Sequence, residues 1–169
     1  MGYSLRRYAS GQADTLARFV VPIASRTYAN WVDHNSARLW ADAEHGAAAW
    51  GERLDDPATH VLVYERADSS IAACGFVRIR AESAYLGGLY VEDVGCGLGR
   101  RLLDERLRIG RDAGALTATM LIRETNTPAR VLATKAGFEA IDQDPCGRLS
   151  TVPRLVYTKR LNAAVPVPA

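Results

Sequence analysis

The residues best suited to chemistry lie between 89 and 103, in the run Leu-Tyr-Val-Glu-Asp-Val-Gly-Cys-Gly-Leu-Gly-Arg-Arg-Leu-Leu. Gly95, Gly97 and Gly99 alternate with Cys96 and Leu98, and Arg100 and Arg101 follow. Glycines this close together let the backbone take positive φ and let a ligand approach without meeting Cβ atoms. The apolar residues before the turn read as a strand and those after it as a helix. The first N–H groups of a helix have no internal acceptor, and its dipole favours negative charge there. A strand feeding such a turn is therefore a site for phosphate or pyrophosphate. The competing reading is a tight strand-to-helix connection with glycines kept for packing. The three alternating glycines and the two arginines that follow favour the phosphate.

The kind of phosphate is narrowed by what is missing. A Walker A loop needs Gly-Lys, and this sequence has no such dipeptide. A dinucleotide fingerprint starting at Gly95 and Gly97 needs glycine at 100, where the chain has Arg. Glu124, at the end of the next apparent strand, stands where a ribose-binding acid belongs, so a dinucleotide reading stays open.

The 169 residues suffice for one domain with a substantial core. At 48% hydrophobic and 24% charged, the composition is that of an ordinary globular protein. A net charge of +2 gives no global field toward nucleic acid or anionic membrane, so neither is expected as a partner. Only Lys135 and Lys159 of the 21 basic residues are lysine, a compositional bias with no binding signal of its own. Cys74, Cys96 and Cys146 are odd in number and widely spaced. They suit reduced thiols in a cytoplasm and offer no metal-ligand spacing, so no metal is expected. Cys96 reads as a small apolar filler of the turn. Arg6 and Arg7 precede any apolar run, no cleavage-like segment follows, and no stretch approaches the length of a membrane span.

The elements that must position the turn follow from periodicity. Residues 3 to 8 read as a short edge strand. Residues 13 to 29 read as a helix carrying Leu16, Phe19, Val20 and Ile23, broken or kinked at Pro22. Residues 28 to 35 are expected to be irregular. Ser36 is a plausible N-cap for a helix to about Leu54. Strands are expected from His60 to Glu65, Ile71 to Arg80 and Ala84 to Val91, joined by short turns as antiparallel neighbours. Leu98 to about Ala113 is a helix apolar on two sides, hence well buried, with Gly114 as its C-cap. Leu116 to Ile122 is a strand, Asn126 caps a helix ending before Gly137, and Phe138 starts another strand. Val152 to Arg160 is a last strand. One domain is expected over 1–162, and residues 163–169 read as a disordered tail.

Strands, a glycine turn into a helix, and then strand–helix–strand resemble the GNAT superfamily of acetyl-CoA-dependent acetyltransferases. The residues carrying the resemblance are Leu89-Tyr90-Val91, Gly95-x-Gly97-x-Gly99-Arg100, and Asn126-x-x-Ala129 followed by Lys135-Ala-Gly137-Phe138. The likeness is strongest from about 60 to 140, and the combination is far more specific than either motif alone. It implies an α+β fold, a mostly antiparallel sheet of six or seven strands splayed in a V and flanked by about four helices.

The resemblance also implies an N-acetyltransferase that moves acetyl from acetyl-CoA, its co-substrate, to a primary amine of a small molecule or a peptide N-terminus. Backbone groups of Leu89, Tyr90 and Val91 would pair with the pantetheine arm. The N–H groups of Gly95, Cys96, Gly97, Leu98, Gly99 and Arg100 would hold the pyrophosphate, and Asn126 would contact the cofactor arm besides capping its helix. A backbone N–H near Tyr90 or Val91 would polarise the thioester carbonyl. Glu92 is the first candidate for the base, with a solvated loop carboxylate as the competing reading. Glu82, Asp33 and His34 are weaker candidates. Tyr90 is a candidate acid, with packing as its competing reading. Of Tyr28, Trp31, Trp40 and Trp50, one or two at most are expected to touch an acceptor. A homodimer is an expectation by the same resemblance.

Two positions depart from the family pattern. Val94 stands where the family's motif usually opens with Arg or Gln, leaving more of the phosphate contact to Arg100 and the backbone. Ala133 stands where the family often has the tyrosine that protonates the departing thiolate. Either another group or water supplies that proton, or the protein is a non-catalytic acyl-CoA-binding module.

Overall fold

The computed structural model describes residues 2–144 and 153–161. In chain order the elements are β1 (Ser4–Tyr8), α1 (Ala13–Tyr28), α2 (His34–His45), α3 (Ala47–Asp55), β2 (Thr59–Glu65), β3 (Ile71–Arg80), β4 (Ser83–Val91), α4 (Leu98–Asp112), β5 (Thr117–Arg123), α5 (Thr127–Lys135), β6 (Glu139–Asp144) and β7 (Arg154–Arg160). The strands form one sheet of seven in the order β1-β2-β3-β4-β5-β7-β6. β1 with β2, β5 with β7 and β6 with β7 are antiparallel, and β4 with β5 is parallel. This is the mixed α/β architecture the sequence implies. Residues 145–152, where the last strand was expected to begin, and the expected tail at 163–169 lie outside the described residues.

The chain forms two compact units that share β3, β4 and α4. The first comprises the described residues up to Phe76 and Gly88–Leu102. In it α1 buries Leu16, Val20, Ala24 and Tyr28, one residue every four, which is a single helical stripe. The break expected at Pro22 does not occur, and α1 runs through it. Pro22 sits on the exposed face, as does Arg18, whose carbonyl would have been its partner, so water can satisfy the freed oxygen.

The helix expected over 36 to 54 is two helices, α2 and α3. Gly46 is the break, with an extended backbone at φ −66° and ψ 172°. A Cβ there would lie 2.5 Å from Asp42 O, so only glycine fits this corner. The cap of α2 is Asp33, not Ser36. Its carboxylate accepts from the N–H groups of Asn35 and Ser36 at 3.0 and 3.1 Å and from the Ser36 hydroxyl.

The second unit comprises Val77–Gly87 and the described residues from Leu103 onward. Its core gathers Leu86, Leu103, Leu107, Ile122, Phe138 and Tyr157. The β4–β5 ladder registers Ser83 with Thr117, Ala84 with Ala118 and Tyr85 with Thr119. Beyond it, Gly87 O accepts from Nη1 of Arg106 at 3.1 Å. Arg106 is 2% exposed, a buried cation on a helix otherwise expected to bury only apolar residues. No helix among the described residues is long and apolar enough to cross a membrane.

Candidate active site

The glycine turn lies in the first unit, between the end of β4 and the start of α4. Gly95 and Gly97 have φ +87° and +75°, the left-handed region that glycine enters without strain. A Cβ built on either meets nothing within 4 Å. The glycines are therefore required by the path of the backbone, and the space beside them is open to a ligand. Arg101 N–H donates to Gly97 O at 3.1 Å, closing the first turn of α4. The amides of Leu98 and Gly99 precede that bond, at the end of the helix where the dipole favours negative charge. Leu98, fully buried, anchors this end. Arg100 is exposed, whereas the Arg101 guanidinium lies 4.9 Å from the ring centre of Tyr64. Val94 is 83% exposed, an apolar side chain presented to solvent at the mouth of the turn. Open space, positive φ and the start of a helix together suit a diphosphate, as coenzyme A carries.

The segment leading into the turn is held by charge. Arg66 Nη2 donates to Glu92 Oε2 at 2.9 Å and to Asp93 Oδ1 at 2.6 Å, while its Nε donates to Asp93 Oδ2 at 3.0 Å. The Tyr3 hydroxyl donates to Asp93 Oδ2 at 2.9 Å. Glu92 N–H donates to Ala72 O at 2.9 Å, tying the end of β4 to β3. Arg66 and Tyr3 hold the Asp93 carboxyl below the usual carboxylate range. That carboxylate pushes the Tyr3 phenol up to about 12. Glu92, the first candidate base, thus stands half-exposed in an ion pair with Arg66.

Tyr90, the candidate acid, lies in a hydrogen-bonded group of the same unit. Its hydroxyl is 2.7 Å from His45 Nε2. The Tyr28 hydroxyl is 2.9 Å from the same nitrogen and donates to Glu44 Oε2 at 2.5 Å. Tyr28 and His45 are buried, Tyr90 is half-buried, and Glu44 is partly exposed. Burial, reinforced by Tyr28, Cys74 and Glu44, pushes the Tyr90 phenol well above its ordinary value, with Arg53 opposing. Sequence reasoning missed His45, Glu44, Arg66 and Asp93. A signal for His45 existed, since Ala37, Ala41 and His45 make the buried stripe of α2 at four-residue spacing.

The other candidates are placed as follows. Leu89 and Val91 are half-buried at the end of β4, while Cys96 is an exposed thiol. Gly99 falls within the first turn of α4. Asn126 caps α5, its Oδ1 accepting from Ala129 N–H at 3.2 Å. Ala133 is 1% exposed, in the core of the second unit. Asp33 serves as the α2 cap and His34 is exposed on its first turn. Glu82 is exposed, its carbonyl accepting from Leu116 N–H at 2.8 Å. Glu124 is exposed beyond β5. Trp50 is fully buried against Phe76, while Trp31 and Trp40 are half-buried.

Several solved structures share this fold. The PaiA N-acetyltransferase from Thermoplasma acidophilum, in complex with coenzyme A, superposes with a TM-score of 0.79 at 19% identity, over 95% of this chain and 99% of that one. The ribosomal-protein-S18-alanine N-acetyltransferase from Escherichia coli gives 0.70 at 14% identity, over 99% of both chains. A probable acetyltransferase from Staphylococcus epidermidis gives 0.77 at 12% identity, over 95% of this chain and all of that one. Among curated proteins none matches the sequence. Residues 23–138, more than half of the chain, match the Acetyltransferase (GNAT) family, and the chain belongs to that family.

Proposed function

We propose that this protein is an N-acetyltransferase that transfers acetyl from acetyl-CoA to a primary amine of a small molecule or a peptide N-terminus. The observation that carries the reading is the pair of positive-φ glycines beside open space at the start of α4, in a chain of this family. Amides of Gly95 to Arg100 bind the diphosphate, and the backbone of Leu89 to Val91 orients the pantetheine arm as a neighbouring strand would. A backbone N–H near Tyr90 or Val91 stabilises the charge that develops on the thioester oxygen. Asn126 caps α5 and contacts the cofactor arm.

Proton transfer falls to Tyr90 or Glu92. The geometry favours Tyr90, whose hydroxyl already faces an imidazole, over Glu92, whose carboxylate faces a guanidinium. A free amine with an ammonium pKa of about 10 must lose a proton before it attacks. The relatives named above include a coenzyme A complex and an enzyme named for a protein alanine, which supports both the cofactor and an amine acceptor. The same reading carries a cytoplasmic location, in keeping with thiols at Cys74 and Cys96, and a homodimer, which sedimentation tests.

The test is a thermal shift with acetyl-CoA together with thiol release over a panel of alkylamines, arylamines and a peptide with a free N-terminus. A stabilised protein that releases thiol with an amine supports the reading. No shift at millimolar acetyl-CoA refutes it. A second reading, a non-catalytic acyl-CoA-binding module, draws on Ala133, where a buried methyl replaces the family's frequent tyrosine. It predicts the shift without thiol release from any amine.

A further inference from the structure

A phenol whose ionisation is opposed by burial is a poor base by itself and a slow acid, because a bare phenolate is disfavoured at its site. It passes protons well only in concert with a neighbour that takes or returns one. Tyr90 has that neighbour in His45, whose Nε2 lies 2.7 Å from the phenol oxygen. Glu44 Oε2 lies 3.5 Å from the same nitrogen and offers a counter-charge to an imidazolium. The Tyr28 hydroxyl donates to Glu44 Oε2 at 2.5 Å, and its oxygen, 2.9 Å from Nε2, can accept from Nε2–H once the imidazolium forms. The rings of His45 and Tyr90 meet edge-on at 70° with centres 5.1 Å apart, which fixes the imidazole's direction. Glu44 is itself held, its carbonyl accepting from Arg53 Nη2 at 2.8 Å.

We propose that Tyr90 and His45 form a two-way proton shuttle, with His45 storing the proton between its removal from the acceptor and its delivery to sulfur. The inference rests on acetyl transfer at the end of β4. The acceptor ammonium gives a proton to Tyr90 Oη as the phenol proton passes to His45 Nε2, leaving an imidazolium beside Glu44. The freed amine then forms its bond to the acetyl carbon and the carbon–sulfur bond breaks. Tyr90 donates its proton to the leaving sulfur while Nε2–H returns one to Tyr90, and the new amide sheds its extra proton to water. One proton moves from nitrogen through His45 to sulfur, and the protein ends as it began. His45 acts only through Tyr90 and is a positioning residue. The shuttle also gives a thiolate donor to a chain that has Ala133 in place of the tyrosine.

The groups that face this pair are Tyr28 on α1, Glu44 on α2, Arg53 on α3 and Cys74 on β3. None of them replaces the imidazole as a base in the neutral range. His45 must be neutral to accept, so kcat at saturating amine falls as pH drops through its ionisation.

The experiment compares wild type with His45→Gln and Tyr90→Phe, using the amine that releases most thiol. Each variant is expected to lose roughly 10²-fold in kcat, the scale of one acid–base group. The acetyl-CoA thermal shift stays, and the acidic limb of the pH profile is absent from His45→Gln. An unchanged limb in His45→Gln, or kcat within about threefold of wild type, overturns the shuttle. A second measurement needs no turnover: the ¹⁵N-resolved titration of His45. Coupling predicts that Tyr90→Phe moves its midpoint, and a midpoint unmoved within about 0.3 pH unit overturns the shuttle. If no amine releases thiol but this midpoint moves, acetyl transfer fails while the coupled pair stands.

Discussion

The guanidinium of Arg66 holds the carboxylate of Asp93 through two hydrogen bonds, 2.6 Å from Nη2 to Oδ1 and 3.0 Å from Nε to Oδ2. Arg66 closes the turn between β2 and β3, and its Nη1 also donates to Ile71 O at 2.8 Å. Asp93 lies two residues before Gly95. The pair therefore ties the path into the glycine turn to the β2–β3 turn.

That pair sets a pH dependence. The folded-state pKa of Asp93 lies below its unfolded value of about 3.9. Its contribution is full above the unfolded value and disappears as pH falls through the folded one. Asp93→Asn is expected to lower Tm at pH 7 and to weaken acetyl-CoA binding by several-fold. The Tm gap from wild type should close as pH falls below about 5. Parallel thermal melts across that range check it, and a constant gap removes the pair as the cause.

Gly97→Val tests the cradle. Valine at φ +75° carries strain of about 1–3 kcal/mol, because a β-branched side chain is poorly tolerated there. The chain can relieve this only by re-aiming the amides that follow. Acetyl-CoA affinity, measured by calorimetry, is expected to fall at least tenfold. Unchanged affinity would mean that the diphosphate binds elsewhere.

Glu92→Gln separates the two proton-transfer candidates. The amide keeps an oxygen for Arg66 but loses the charge and the basicity. With Tyr90 and His45 moving the proton, kcat is expected to stay within about threefold between pH 6 and 9. A loss on the order of 10²-fold with its pH limb removed would return the role of base to Glu92.

Much of the frame could be read from residue order because local rules governed it. The alternation of Gly95, Gly97 and Gly99 signalled a turn, and the backbone takes positive φ at Gly95 and Gly97. Asn126 signalled a helix start and caps α5. Other features were hidden because they depend on three-dimensional context that residue order does not carry. Pro22 is tolerated because it falls on the exposed face of α1, which its own neighbours do not reveal. Gly46 looks like one weak link in a long helix, yet the close approach of Asp42 O makes it a corner. His45 and Tyr90 are 45 residues apart, and no spacing rule connects them. The Arg66–Asp93 pair spans 27 residues and was invisible for the same reason.

The most direct repair suggested by the family pattern, Ala133→Tyr, is expected to fail. Ala133 is 1% exposed and packs in the core with Leu132, Ala136 and Phe138 around it. Its carbonyl accepts from Ala136 N–H at 3.0 Å and Phe138 N–H at 3.1 Å, which fixes the end of α5. A phenol added there must displace packed side chains, and overpacking of this kind costs about 1–3 kcal/mol. Its hydroxyl would also need a partner that an apolar core does not supply. The variant should therefore unfold at lower urea concentration than wild type and gain no thiol release. A gain in rate with stability preserved would show that the core has room for the tyrosine, and that this chain lacks an acid which Tyr90 does not replace.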